Sequence, residues 1–110
     1  MVIEKGVEMV NVCKQIKKVL PIINLVFYEA KNVLVITATN RGRDILRLSH
    51  EAGHAIDVMF PLVDYPTVRY KLQGALGFNY HIRNMKTHLH IEYLPWSEKP
   101  LRRMGENHER

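Results

Sequence analysis

The chain has a single cysteine, Cys13, so no internal disulfide can close and the fold must rest on packing and polar contacts. Cys13 falls among apolar positions at helical spacing, where a thiol reads as a small packing residue and not as a nucleophile or thiolate ligand. Long apolar runs are missing too. The longest, Val19 to Tyr28, is broken by Pro21 and Asn24 and falls short of the ~20 residues that cross a bilayer, so no transmembrane segment is expected. The first residues include Glu4, Lys5 and Glu8 in place of the apolar stretch of a secretory leader. No internal repeat and no shift in composition divides the chain. Residues 1–96 read as one domain, and the polar, basic stretch 97–110, SEKPLRRMGENHER, as a frayed tail. Sixteen Lys and Arg against eleven Asp and Glu give a net charge of +5. The basic residues form no stripe interleaved with aromatics, so a specific nucleic-acid partner is not expected, and charge alone does not choose between polyanions.

What is present is the material of a small α+β domain. Hydrophobic residues make up 46% and charged residues 25%, as in ordinary globular proteins. Apolar residues from Val7 to Leu20 recur at helical spacing, and Pro21 is expected to end or kink that helix. Ile23 to Ala30 fits either a second helix or the first arm of a hairpin. Val33 to Thr39 is rich in β-branched residues and reads as a strand, followed by the polar loop NRGRD. A loop after Pro61 leads to a helix from about Pro66, with Val68, Leu72 and Leu76 facing inward and Gly74 or Gly77 near its end. Asn79 to Asn84 reads as a short strand. His88 to Tyr93, HLHIEY, alternates cleanly, with Leu89, Ile91 and Tyr93 on one face and His88, His90 and Glu92 on the other. The fold class expected is α+β, a small antiparallel sheet with flanking helices.

Four of the six histidines lie in two short stretches, SHEAGHAID (Ser49 to Asp57) and HLHIEY. Zinc takes neutral imidazole nitrogens and a carboxylate, and a catalytic site keeps one position open for water. The first stretch admits two readings. As part of an amphipathic helix from Asp44 to Phe60, HEAGH is an HExxH motif with His50 and His54 on one face and Glu51 as general base. As a loop leading into a strand from Ala55 to Phe60, the ligands are His50 and Asp57, with the small Ala55 leaving room beside Asp57. Gly53 costs a helix about 1 kcal/mol relative to alanine, and Ile-x-Val-x-Phe before Pro61 suits a strand, so the strand reading leads. Trp96 reads as an anchor at the end of the sheet, while His81 and His108 read as packing or surface residues.

Together, SHEAGHAIDV and, some thirty residues later, GFNYHIRNMKTHLHIEY resemble the zinc D-alanyl-D-alanine carboxypeptidases and related peptidoglycan peptidases, phage lysis enzymes among them, which share the hedgehog-type peptidase fold. The resemblance spans roughly Val33 to Leu94. It implies zinc ligands His50 and Asp57 from an H-x-x-G-x-A-x-D pattern and His90 as the second histidine of H-x-H. It further implies a substrate-binding Arg41, with Arg43 as substitute, for the terminal carboxylate of a peptidoglycan stem peptide. The basic charge suits an anionic cell wall, and the missing leader suits a phage product made in the cytoplasm.

Three positions depart from the family pattern. Ser49 stands next to His50 instead of two residues before it. The connection from Arg41 to His50 is short. Thr87 occupies the place, three residues before the last ligand, where a carboxylate general base is usual. A threonine cannot accept a proton from an activated water at neutral pH. His88, Glu92 or Glu51 has to serve, or the domain binds zinc or cell wall without turnover. An HExxH protease built on His50, Glu51 and His54 is the other alternative.

Overall fold

The computed structural model describes residues 1–39 and 54–94. Within these the order is β1 (Val2–Ile3), α1 (Lys14–Glu29), β2 (Val35–Thr39), β3 (Ala55–Met59), α2 (Tyr65–Leu76), β4 (Tyr80–Asn84) and β5 (His88–Tyr93). Five strands form one sheet in the order β1-β2-β3-β5-β4. The expected antiparallel sheet is therefore mixed at one edge. β1, which sequence reasoning did not anticipate, pairs parallel to β2, and every other pairing is antiparallel.

Helix α1 differs from the expected Val7–Leu20 at both ends. It begins only after Cys13, which stands at the N-cap and is partly buried. Val10, counted in the apolar stripe, is exposed. At the other end the helix runs straight through Pro21 to Glu29. Pro21 faces solvent, and its ring costs an interior helical position about 3 kcal/mol. Beyond it, Ile23, Val26 and Phe27 are buried, each stabilising the folded chain by roughly 1.5–3 kcal/mol. Burial therefore outweighs the proline, and Ile23 to Glu29 continues the helix instead of forming a hairpin arm. The helix closes with Lys31 in the left-handed region (φ 66°): the Lys31 N–H donates to the Tyr28 carbonyl and the Asn32 N–H to that of Phe27.

Both helices pack on one face of the sheet. Ile16, Ile23 and Phe27 of α1 and Val68, Leu72 and Leu76 of α2 form one cluster with Ile36, Ile56, Val58, Ile82, Leu89 and Ile91. Helix α2 matches expectation, with Pro66 in its first turn and Gly77 (φ 86°) just past its end. Gln73 secures the following turn by donating to the carbonyls of Gly77 and Tyr80. The segment Ala55–Met59 is a strand, so a single helix from Asp44 to Phe60 is ruled out. Among the described residues no helix is long and apolar enough to cross a membrane. Arg41, Arg43, the NRGRD loop, Trp96 and the tail 97–110 lie outside the described residues.

A buried polar side chain ties two connections together. Buried Asn32 donates to the carbonyl of Val63 at 2.8 Å, and its Oδ1 accepts from the N–H groups of Leu62 and Val63, each at 2.9 Å. It thereby fixes the β3–α2 connection against the end of α1. Leu62 is exposed and its backbone can turn to water, so the loss on removal is that of partly compensated bonds. Asn32→Ala is expected to lower the unfolding free energy by about 1–3 kcal/mol, read as a reduced urea midpoint at unchanged m-value.

Candidate metal centre

The strand pairing brings the two histidine-bearing stretches together. β3 and β5 are antiparallel with Asp57 opposite His90, Ala55 opposite Glu92 and Met59 opposite His88. The Tyr93 N–H donates to the His54 carbonyl at 2.7 Å, which makes 54/93 a hydrogen-bonded pair. Such pairs alternate, so 57/90 is a non-hydrogen-bonded pair, where opposed Cα atoms lie only about 4.5 Å apart and side chains come closest. Ile56, Val58, Leu89 and Ile91 fill the helix-side face. Asp57, His88, His90 and Glu92 share the other.

On that face His90 sits between two carboxylates. Its Nδ1 donates to Asp57 Oδ1 at 2.7 Å, and its Nε2 lies 3.4 Å from Glu92 Oε1. His88 Nε2 lies 3.6 Å from Asp57 Oδ2, and the Thr87 hydroxyl is 2.9 Å from His88 Nδ1. The alternation expected for β5 holds, but its polar face is not a solvent face. The side chains of His90 and Glu92 are 7% and 2% exposed, whereas those of His88 and Asp57 keep 31% and 23%. Small residues flank Asp57: Ala55 two places earlier on β3, and Ala38 opposite it on β2. There the β2–β3 register shifts between Ile36 and Ala38, a bulge beside the site.

The donor set suits zinc: a carboxylate oxygen and an imidazole nitrogen face each other across one strand spacing. Zinc bonds of about 2.0–2.1 Å at tetrahedral angles hold two ligands roughly 3.3 Å apart, so the 2.7 Å contact needs to open by only about 0.6 Å once the Nδ1 proton has left. Of the three ligands expected, Asp57 and His90 are adjacent, and His50 lies outside the described residues. Among the described residues no three His, Cys, Asp or Glu side chains are disposed to share one ion. Of the HExxH set, His50 and Glu51 also lie outside. His54 directly precedes β3, and its ring meets Tyr93 edge-on at 6.0 Å, on the core side of the sheet and away from Asp57.

Three residues near the centre were not assigned to it by sequence. Thr87, which marks a missing carboxylate, contacts the His88 ring. Arg83 and His81 stand opposite His90 and Glu92 in the β4–β5 hairpin. The signal for the last two lay in the alternation of YHIRN, which becomes informative once that segment is paired with HLHIEY around the Lys86–Thr87 turn.

Burial works against a charged His90, but the hydrogen bonds and charges of Asp57 and Glu92 outweigh it, and the His90 pKa is raised above the ordinary histidine value. The groups facing it are Asp57 on β3, His88 and Glu92 on β5, and Arg83 on β4. A raised folded-state pKa stabilises the fold in full below the unfolded value of about 6.5. That contribution disappears as pH rises through the folded-state pKa. In metal-free protein the stability advantage over His90→Gln is therefore expected to be largest below pH ~6.5 and to shrink at higher pH, as measured by urea unfolding across pH.

No family model, curated protein or solved structure matches this chain.

Proposed function

We propose that the chain is a zinc-dependent peptidase that hydrolyses peptide bonds in bacterial cell-wall peptides, of the D-alanyl-D-alanine carboxypeptidase or endopeptidase type, with a hedgehog-type peptidase fold. The observation that carries this reading is the in-register pairing of Asp57 with His90, the carboxylate and the second H-x-H histidine of the two motifs, at 2.7 Å. Asp57 and His90 would hold the ion, with His50 as third ligand. Zinc, when bound, supplies Lewis acidity, polarising a scissile carbonyl and drawing the pKa of water towards neutrality.

The remaining work belongs to side chains. His88 is the titratable group of the cluster that keeps solvent access while facing Asp57. Its Nε2 accepts the proton of the attacking water and returns it to the leaving amine, the part a carboxylate plays in the family. The Thr87 hydroxyl holds the far nitrogen of that ring, so the threonine at the vacated base position supports a base one residue along. Arg41, or Arg43 in its place, grips the terminal carboxylate of the stem peptide bidentately.

Incubating the zinc-loaded protein with purified peptidoglycan, and with a stem peptide ending in D-alanyl-D-alanine, tests the proposal. Released D-alanine, abolished by chelator, is expected of a carboxypeptidase; new amines without free D-alanine indicate an endopeptidase. Asp57→Ala and His90→Ala should lose both zinc and turnover. His88→Ala should keep zinc while kcat falls about 10²- to 10⁴-fold. A protein that retains zinc with no turnover on either substrate is a binding module, and the peptidase reading is then wrong.

A further inference from the structure

We infer that Glu92 is the positioning residue of this centre: it holds the His90 ring through Nε2 so that Nδ1 is the nitrogen presented beside Asp57. The inference rests on the reading that Asp57 and His90 bind a metal, and it adds which nitrogen binds and what orients it. Glu92 follows His90 by two residues on the same strand, so both side chains leave the same face. Its side chain is 2% exposed, and its Oε1 lies 3.4 Å from His90 Nε2. A carboxylate taken so far from water is disfavoured unless a positive or strongly polarised partner stands beside it. The imidazole N–H is one such partner, and it becomes a better donor when the opposite nitrogen binds a cation.

The separation of 3.4 Å makes this a weak hydrogen bond, to which Glu92 adds its charge and the space it fills. Turning the ring over about its Cβ–Cγ bond would set a carbon, not Nδ1, against Asp57. The orientation in place is the one that satisfies both carboxylates at once. A carboxylate behind a ligating histidine fixes the ring and raises its basicity, and removing one typically weakens metal binding about 10- to 100-fold. Burial also separates this role from general-base catalysis. Glu92 lies behind the ring, while the more exposed His88 lies on the open side of the cluster.

Zinc affinity measured by competition with a chromophoric chelator, for wild type, Glu92→Gln and Glu92→Ala, tests the assignment. The expected order is wild type, then Gln, then Ala, with Ala about 10- to 100-fold weaker and Gln, which keeps the shape and an acceptor, recovering part of the loss. In cadmium-113-loaded, nitrogen-15-labelled wild type, scalar coupling is expected at His90 Nδ1. Coupling at Nε2, or affinities unchanged in both variants, overturns the inference while leaving the metal centre standing. If Glu92→Ala does not fold, the Gln variant and the wild-type coupling decide the matter. A wild-type chain that takes up no zinc overturns the metal reading itself, and this inference with it.

Discussion

The register between β3 and β5 is the constraint on which the rest depends. It is set by apolar residues: Ile56 and Val58 face the helices together with Leu89 and Ile91, all four essentially excluded from water. At roughly 1.5–3 kcal/mol per buried side chain, the four together stabilise this pairing by on the order of 6–12 kcal/mol. A slip of one residue would carry one strand's pair of that set to the opposite face. The Asp57–His90 contact is thus held by forces that do not involve either residue. Because 57/90 is a close, non-hydrogen-bonded pair, the register decides the distance as well as the neighbour.

That arrangement places charge where water is scarce, and the chain compensates locally. His90 and Glu92 are buried, and each lies against an opposite or convertible partner. In a medium of low dielectric such contacts are stronger than at the surface, and an unmatched group is costlier. The raised pKa of His90 follows from this balance, with two carboxylates outweighing desolvation. The same field favours positive charge between Asp57 and His90.

Much of this was legible from alternation and turn chemistry. β5, α2 and the strand character of Ala55–Met59 follow from periodicity, Pro66, Gly77 and β-branched content. The two motifs nominated Asp57 and His90, which the pairing then brought together. The failures have physical causes. Pro21 is a local signal, and its cost is smaller than the burial of the residues beyond it, so the helix continued where local rules end it. β1 is two exposed residues whose pairing with β2 no periodicity announces. The burial of Glu92 was hidden because alternation tells which residues share a face and not whether that face meets water.

Exposure along β5 falls from 31% at His88 to 7% at His90 and 2% at Glu92. Three polar residues spaced by two on one strand therefore meet three environments, and their chemistry divides accordingly. The outermost ring keeps access to water. The middle ring is held between two carboxylates, Asp57 across the strands and Glu92 along its own. The innermost carboxylate is almost wholly buried, and the His90 ring is among the groups it lies against. H-x-H-x-E on this strand face is thus a gradient of exposure, outermost at His88 and innermost at Glu92. Depth, which alternation alone does not report, sets the three environments apart.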